Sequence, residues 1–322
     1  MFFLIILVLI LLLVGLFFMG KPPQAEKITF GVNFSQKHTQ GLGLHWKETY
    51  LALLDDLEVK NIKLLTHWDL IEPKNNEYSF EDLDWQIKMA EEKGANLILV
   101  IGMKTGRWPE CHVPPWAKDL PKDEQQKEIL EILKQIILRY KDRPSIWSWQ
   151  VENETFFPFG ECPWTDINFL RKEIELAKSL DTKPIIVSDS GEFSFWIRAA
   201  RLGDMVGTTL HRRVWFKELG LYVRYPFTPS YYWRRAKIIS KFFDKKVISV
   251  ELQAEPWGPT LLYWLSLEEQ EKTMNLEQFK KNIEFAQRTG LDTFYLWGAE
   301  WWYWMKMKQN QPEIWQEAKK LF

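Results

Sequence analysis

The chain has 322 residues with 42 basic and 43 acidic side chains, a formal net charge of −1. No long run of like charge occurs, so the sequence offers no electrostatic case for binding nucleic acid. The length suits one large domain or two small ones, and α/β barrels of this size are single domains. Tryptophan is abundant, with 18 residues; its flat rings pack in cores and can also stack on the apolar faces of sugars.

The N-terminal segment Met1–Gly20 contains no charged side chain. Its length matches the roughly 20 apolar residues that a membrane-spanning helix needs. No Lys or Arg precedes the apolar run, and Phe18-Met19-Gly20 is a poor match to a signal-peptidase site. We therefore expect residues 1–20 to be an uncleaved transmembrane anchor, with a cleaved signal peptide as the alternative. Residues 21–27 are expected to form a short, stiff linker, and residues 28–322 a single domain.

Short apolar strands alternate with helices along that domain. The eight predicted strands are Ile28–Phe34, Asn61–Thr66, Asn96–Ile101, Ile146–Val151, Lys183–Ser188, Asp204–Leu210, a strand around Val247, and Asp292–Trp297. Among the helices, Asp123–Lys141 and Asn275–Thr289 carry apolar residues in phase on one face, and a loop is predicted between His211 and Ser230. Eight strand–helix units imply a parallel sheet and fit a (β/α)₈ TIM barrel. An open doubly wound sheet is the alternative, but the glycine-rich phosphate loop usual after its first strand is missing.

Glutamates follow two strands that lie roughly a hundred residues apart. Ile146–Val151 runs into Glu152, Asn153 and Glu154, and a later apolar strand runs into Glu251. The site of a (β/α)₈ barrel lies at the C-terminal ends of its strands. Because an unpaired buried charge is costly, carboxylates there must face water, a partner or a substrate. Two such glutamates suggest the carboxylate pair of glycoside hydrolysis.

Three stretches of the sequence resemble the clan A glycoside hydrolases, which are (β/α)₈ barrels. Trp149–Glu154 is similar to the Trp-Gln-x-Asp-Asn-Glu stretch of family 42 β-galactosidases, and Val250–Pro256 is similar to their nucleophile segment. Trp68–Pro73, followed by Glu77–Phe80, resembles the strand-two signature of the clan. The sequence departs from the galactosidases at Glu152, where they have Asp, at Ala254-Glu255-Pro256, and in lacking their additional domains. We therefore expect a different, smaller family of the same clan.

The resemblance implies a role for each matching residue. It implies Glu154 as the acid/base and Glu251 as the nucleophile of a retaining hydrolase acting on β-glycosidic bonds, with Glu255 as the runner-up nucleophile. Asn153 is expected to donate to the sugar 2-hydroxyl, and Trp297 to form the floor of the sugar site. His67, His211 and Asn33, at other strand ends, are further candidate substrate contacts, and a structural role is the alternative for the two histidines. Aromatic neighbours of Glu154 are expected to raise its pKa by desolvation, as an acid requires.

The two cysteines, Cys111 and Cys162, lie in loops that leave adjacent strands. Outside the cytosol an even pair suggests one disulfide. No His-x-x-x-His or Cys-x-x-Cys spacing supports a metal site, so we expect no metal and no cofactor. A cluster of these cysteines with His112 is the alternative.

The expected partners are an oligo- or polysaccharide substrate and a membrane. A polymer-cleaving enzyme is useful outside the cell, so we expect the domain to be membrane-anchored on the extracytoplasmic side. A second function stays open, a membrane-tethered carbohydrate-binding protein built on an inactive barrel. Retention of both glutamates argues against it.

Overall fold

The computed structural model of the chain describes residue 15 and residues 17–322. The strands of this part are β1 Thr29–Phe34, β2 Asn61–Leu65, β3 Asn96–Ile101, β4 Ile146–Val151, β5 Ile185–Asp189, β6 Met205–Leu210, β7 Arg213–Phe216, β8 Leu221–Arg224, β9 Lys246–Gln253 and β10 Thr293–Trp297. The α-helices are α1 Gln36–Gly41, α2 Trp46–Asp55, α3 Trp68–Ile71, α4 Glu81–Glu92, α5 Lys122–Tyr140, α6 Ile167–Leu180, α7 Ile197–Leu202, α8 Pro229–Phe243, α9 Leu267–Glu271, α10 Leu276–Gln287, α11 Ala299–Lys308 and α12 Glu313–Ala318.

The predicted barrel is confirmed. Eight parallel strands close in the order β1–β10–β9–β6–β5–β4–β3–β2. The strands are short and apolar because both of their faces are buried. A small cluster fills the barrel interior, and a much larger core packs the outer faces of the strands against the helices. The interior cluster consists of Ile98, Ile186, Ile248, Val250 and Tyr295.

An antiparallel hairpin of β7 and β8 replaces the loop predicted after His211. Each strand has only four residues and most of its side chains are partly or fully exposed. Strands this short and this open carry too little apolar alternation to be recognised in a sequence. Gly220, with φ of 61°, lies in the turn between them. The hairpin lies outside the closed barrel, in the connection from β6 to α8.

The predicted transmembrane span Met1–Gly20 falls almost wholly outside the described residues. In the part of the chain that is described, no helix combines the length and the apolar character that a membrane crossing requires. The last residues of the apolar segment do contact the barrel. Thr228 Oγ1 donates to the Phe18 carbonyl over 2.9 Å, and Ser230 Oγ donates to the Gly20 carbonyl over 2.6 Å. Residues 18–20 are thus fixed to the start of α8.

Candidate active site

A β-bulge aims Glu251 into the barrel. Thr208 and Thr209 are consecutive on β6, but their partners on β9 are Ser249 and Glu251. Val250 is therefore an extra residue in the ladder, and such bulges re-aim the side chains that follow. Strict alternation from Val250, which belongs to the interior cluster, would point Glu251 outward at the helices. The strand also continues to Gln253, so Glu251 lies within β9 and not at its end as predicted.

Asn33, which was predicted as a substrate contact, holds the bulge by a hydrogen bond from β1. It is fully buried, and its Nδ2 donates to the Val250 carbonyl over 3.0 Å. The same amide nitrogen also lies within hydrogen-bond distance of the Tyr295 and Leu296 carbonyls, at 3.3 and 3.2 Å. The Asn33 amide nitrogen is therefore engaged within the protein, where it links β1 to β9 and β10.

Glu154 is held at the end of β4 by a strained backbone. Both Glu152 and Glu154 have positive φ, 57° and 44°, a conformation that costs a non-glycine residue free energy and is kept where the surroundings impose it. The Glu152 carboxylate accepts the backbone N–H groups of Met103, over 2.7 Å, and Lys104, over 2.5 Å. The Glu154 N–H donates to Ser188 Oγ over 2.9 Å. These bonds fix the turn that presents the carboxyl group to the barrel mouth.

Each of the two glutamates has one oxygen held by protein and one open to the cleft. Thr209 Oγ1 donates to Glu154 Oε1 over 3.3 Å, and Lys63 Nζ donates to Glu251 Oε1 over 2.8 Å. Neither Oε2 atom has a partner among residues 17–322, and neither is sealed from solvent. Two carboxyl groups thus present free oxygens to one cleft.

Burial, with the negative charge of Glu251 acting in the same direction, raises the pKa of Glu154 to about 8. The direction agrees with the prediction for this residue, while the part of its aromatic neighbours stays a prediction. The Glu251 carboxylate has instead the Lys63 ammonium beside it, which compensates its charge. The site therefore places one carboxyl group where burial favours its protonated form and the other beside a cation, the two environments that acid and nucleophile need.

We expect Glu154→Gln to stabilise the protein at neutral pH. Between its ordinary pKa of 4.5 and about 8, the folded chain binds a proton that the unfolded chain has released. Stability is therefore lost as the pH rises through this window, and an amide cannot ionise. The expected gain in the free energy of unfolding is on the order of 2–3 kcal/mol at pH 7 and close to zero near pH 4. Urea unfolding at both pH values measures it. The exposed Glu161→Gln is the matched control, and an equal gain at both pH values would contradict the argument.

Lys63 is a functional residue that the sequence analysis missed. It is fully buried inside the barrel mouth, where its Nζ donates to Glu251 Oε1 and, over 3.2 Å, to Asn153 Oδ1. One ammonium group thus positions the candidate nucleophile and the neighbouring amide together. A signal was present, since Lys63 is the only charged residue in the apolar strand Asn61–Leu65.

Lys63→Met is expected to lower kcat/KM by about 10²–10³-fold, the size of effect seen when one preorganised electrostatic contact is removed. Lys63→Arg keeps the charge and should recover part of the activity. Lys60→Met, at an exposed position just before β2, is the control. A folded Lys63→Met whose kcat/KM equals that of this control would leave Lys63 with a packing role only.

Asn153 and Trp297 both lie next to the pair of glutamates. The Asn153 Oδ1 accepts from Lys63 and from Gln150 Nε2, the latter over 2.9 Å, which fixes the amide orientation. Its Nδ2 has no acceptor in the described part of the chain and stays open to the cleft. One face of the Trp297 ring is covered by the Arg107 guanidinium, whose central carbon lies 3.9 Å from the ring centroid. Only 6% of Trp297 is exposed.

His211 is linked to Glu154 through the buried Glu192 and Thr209. The Glu192 Oε1 accepts the His211 N–H over 2.9 Å and the Tyr232 hydroxyl over 2.9 Å. Burial favours the neutral imidazole, but Glu192 outweighs it, and the pKa of His211 is raised with further help from Glu251 and Glu154. The Thr209 hydroxyl lies 3.3 Å from Glu192 Oε2 and 3.3 Å from Glu154 Oε1, so its single proton can be donated to either carboxyl group, and it joins these residues in one network.

His67 has both ring nitrogens committed within the protein. Its Nε2 lies 3.0 Å from Ser35 Oγ, and its Nδ1 lies 3.4 Å from Thr105 Oγ1. The ring packs against His112 with centroids 4.0 Å apart. Burial lowers the pKa of His67 well below its usual range, so the imidazole is neutral. These contacts match the structural alternative raised for this histidine.

The runner-up nucleophile Glu255 is held in a buried ion-pair cluster. Its carboxylate contacts the Arg107 guanidinium and lies 3.3 Å from His38 Nε2. Burial would raise the pKa of Glu255, but Arg107 and His38 outweigh it and lower the pKa to about 2. Arg107 also binds Glu300 over 2.9 Å. His38, Glu255 and Glu300 carry metal-type ligand atoms within 4.8 Å of one another, but Arg107 already supplies the positive charge there.

The predicted disulfide between Cys111 and Cys162 is confirmed, with Cα atoms 5.1 Å apart. Both sulfurs are therefore unavailable to the alternative metal cluster with His112. The bond pins the loop after β3 to the loop after β4. The β3 loop carries Arg107 and also Glu110, a third carboxyl group that the sequence analysis missed.

Only 6% of Glu110 is exposed, yet its carboxyl group has no hydrogen-bond partner in the described chain. Burial raises the pKa of Glu110 to about 7, and Lys104, Glu251 and Lys63 are among the charges that act on it. Its oxygens are not sealed from solvent. Glu110 therefore faces the same cleft as Glu154 and Glu251, and no local sequence motif distinguishes it.

Comparison with known proteins gives a structural likeness only. No protein-family profile matches the sequence, and no curated protein matches it. Native xylanase 10B from Thermotoga maritima superposes with a TM-score of 0.59 at 16% identity, covering 91% of this chain and 95% of the xylanase. A GH5_18 protein from Streptomyces cattleya, solved with GlcNAc, has a TM-score of 0.60 at 13% identity, covering 85% and 70%.

A β-galactosidase from the haloarchaeon Halorubrum lacusprofundi is also similar, with a TM-score of 0.58 and 14% identity over 84% of this chain. The aligned region spans 52% of that galactosidase. At these identities the likeness shows the fold, a (β/α)₈ barrel shared with glycoside hydrolases. The activity of this chain has to be argued from its own site.

Proposed function

We propose that this chain is a retaining glycoside hydrolase that cleaves β-glycosidic bonds through Glu154 and Glu251. The observation that carries the proposal is the pair of carboxyl groups that open one free oxygen each into the same cleft, one neutral and one paired with Lys63. Buried polar groups are normally hydrogen-bonded within the protein, so two carboxyl oxygens that stay free beside each other support a ligand site.

In the proposed first step, Glu251 Oε2 attacks the anomeric carbon while the bond from that carbon to the leaving oxygen breaks. Glu154 gives its proton to the leaving oxygen, and the sugar stays bound to Glu251 as an ester. In the second step Glu154 takes a proton from water, the water oxygen attacks the anomeric carbon, and Glu251 departs. Asn153 Nδ2, open to the cleft, is the proposed donor to the sugar 2-hydroxyl.

A substrate panel tests this function. The full-length chain in detergent should release the aglycone from at least one aryl β-glycoside or β-linked polysaccharide. Proton NMR of the first-formed sugar gives its anomeric configuration, and the β-anomer is expected. An α-anomer would reject the retaining mechanism. Failure on every member of the panel, in a protein shown to be folded, would favour the binding barrel.

We also propose that Met1–Gly20 keeps the enzyme on the membrane with the barrel on the extracytoplasmic side. The support is the absence of charge over 20 residues and the poor cleavage site. Cell fractionation with N-terminal sequencing should find an intact chain in the membrane fraction. A soluble product that begins after Gly20 would refute the anchor and favour a signal peptide.

A further inference from the structure

A band of aromatic side chains crosses the barrel mouth. Neighbouring rings along it have centroids 5.5 to 6.4 Å apart. We call it the aromatic band, and it consists, in spatial order, of Phe159, Phe157, Phe193, Tyr225, Phe227 and Phe18. All six rings are at least partly accessible, and Phe193 is 54% exposed. Ring faces this open on a folded surface mark a site where something apolar binds.

One end of the band lies on the leaving-group side of the candidate active site. The Phe157 N–H donates to the Glu154 carbonyl over 2.9 Å, so the band begins in the turn that presents the acid. Tyr225 also lies within electrostatic reach of the candidate active site. Burial raises the pKa of Tyr225, and the charges of Glu192 and Glu154 act in the same direction. The acid of a retaining hydrolase must reach the leaving oxygen. The leaving group that carries this oxygen is therefore expected to lie toward the aromatic band.

The other end of the aromatic band is Phe18, which lies in the last part of the apolar N-terminal segment Met1–Gly20. Phe18 stacks on Tyr231 at 5.3 Å and on Phe227 at 6.4 Å. Its carbonyl is held by Thr228, at the start of α8, and the start of a helix in this fold lies on the same side as the active site. Met1–Gly20 is uncharged throughout. The segment proposed to enter the membrane thus leaves the barrel on the catalytic side, beside the band.

Helix α8 presents positive charge on its surface. Its 15 residues include no acidic residue, and Arg234 and Lys237 are at least partly exposed, whereas Arg235 is buried and Lys241 lies near the far end of the helix. The Arg234 guanidinium and the Lys237 ammonium lie over the Trp233 ring, at 5.5 and 4.9 Å from its centroid. Tryptophan among exposed cations is typical of surfaces that meet an anionic membrane interface.

We propose that the substrate is a membrane glycolipid. This deepens, and rests on, the proposed glycosidase function. The sugar enters the cleft between Glu154 and Glu251, while the lipid part next to the glycosidic oxygen lies along the aromatic band and its tail stays in the bilayer. Hydrolysis breaks the bond from the anomeric carbon to the lipid oxygen, Glu154 protonates that oxygen, and water supplies the hydroxyl of the sugar. The products are a free sugar and a lipid alcohol.

The test uses the full-length chain reconstituted in vesicles of phosphatidylcholine and phosphatidylglycerol. Its two substrates are methylumbelliferyl β-glycosides of the sugar selected by the panel, one bearing a long acylamino chain on the coumarin and one bearing an acetylamino group at the same position. The two leaving groups are electronically matched, so the ratio of kcat/KM values isolates the contribution of the chain. We expect a ratio of at least about tenfold, since each buried methylene adds appreciably to binding.

Phe193→Ala should lower this ratio about tenfold, because it removes the most exposed ring of the band on the path between cleft and membrane. The control is Phe242→Ala, another exposed phenylalanine (70%) at the far end of α8. Substrate concentrates in the vesicles to the same extent with either variant, so a fall in the kcat/KM ratio in Phe193→Ala but not in Phe242→Ala is not caused by partitioning. A ratio that is unchanged in Phe193→Ala, or close to one in the unmodified chain, would overturn the glycolipid proposal and leave the glycosidase intact. Failure to cleave either compound would overturn the glycosidase and the glycolipid proposal together.

Discussion

Glu251→Gln is expected to lower kcat/KM by roughly 10⁴-fold or more, the order of loss when a catalytic nucleophile is removed. The amide cannot form the glycosyl ester, and it no longer pairs with the Lys63 ammonium. The measurement is turnover of the best aryl glycoside, with circular dichroism to show that the variant folds. Glu255→Gln is the matched control, since it alters a second glutamate two residues beyond the bulge-containing strand β9. Full activity in Glu251→Gln together with a dead Glu255→Gln would reverse the assignment.

Chemical rescue of Glu251→Ala separates a lost nucleophile from a damaged fold. The shortened side chain leaves space where the carboxylate stood, and a small anion such as azide can then attack the anomeric carbon from the same side. Azide should restore turnover and yield an α-glycosyl azide from a β-glycoside. A variant that is folded but is not rescued, or that yields the β-azide, would contradict the nucleophile role.

Glu154→Ala is expected to have an effect that depends on the leaving group. For glycosides whose leaving oxygen must be protonated, kcat/KM should fall by about 10²–10⁴-fold, the usual contribution of a general acid. For a dinitrophenyl glycoside it should change little, because that phenolate departs without a proton. Comparing the two substrates measures proton donation directly. Equal losses on both would assign Glu154 a role in binding and not in acid catalysis.

The pH profile gives an independent check on Glu154. Activity should fall as the pH rises through about 8, because the carboxyl group then loses the proton that it donates. This basic limb should disappear in Glu154→Ala with the dinitrophenyl substrate. Glu110 also titrates near neutrality, with its pKa at about 7. Glu110→Gln is therefore the control, and a basic limb that vanishes in this variant would mean that Glu110 carries the titration.

Features that depend on local pattern could be predicted from the amino-acid sequence. Alternating apolar strands and amphipathic helices were enough to predict the barrel, because the period of a strand differs from that of a helix. Polar residues directly after the apolar Ile146–Val151 were enough to find Asn153 and Glu154. The pairing of Cys111 with Cys162 followed from their loops, since consecutive strands of such a barrel are neighbours in space.

Which of these residues face the cleft depends on long-range packing. The bulge at Val250 turns Glu251 inward, and it arises from the register of β9 against β6 and β10, which has no signature in the sequence of β9. Lys63 reaches Glu251 across 188 positions of sequence. Arg107 covers Trp297, and carbonyls of distant strands engage Asn33. Closing a barrel brings side chains from all eight strands to one mouth, so each site contact depends on residues that are far apart in the chain.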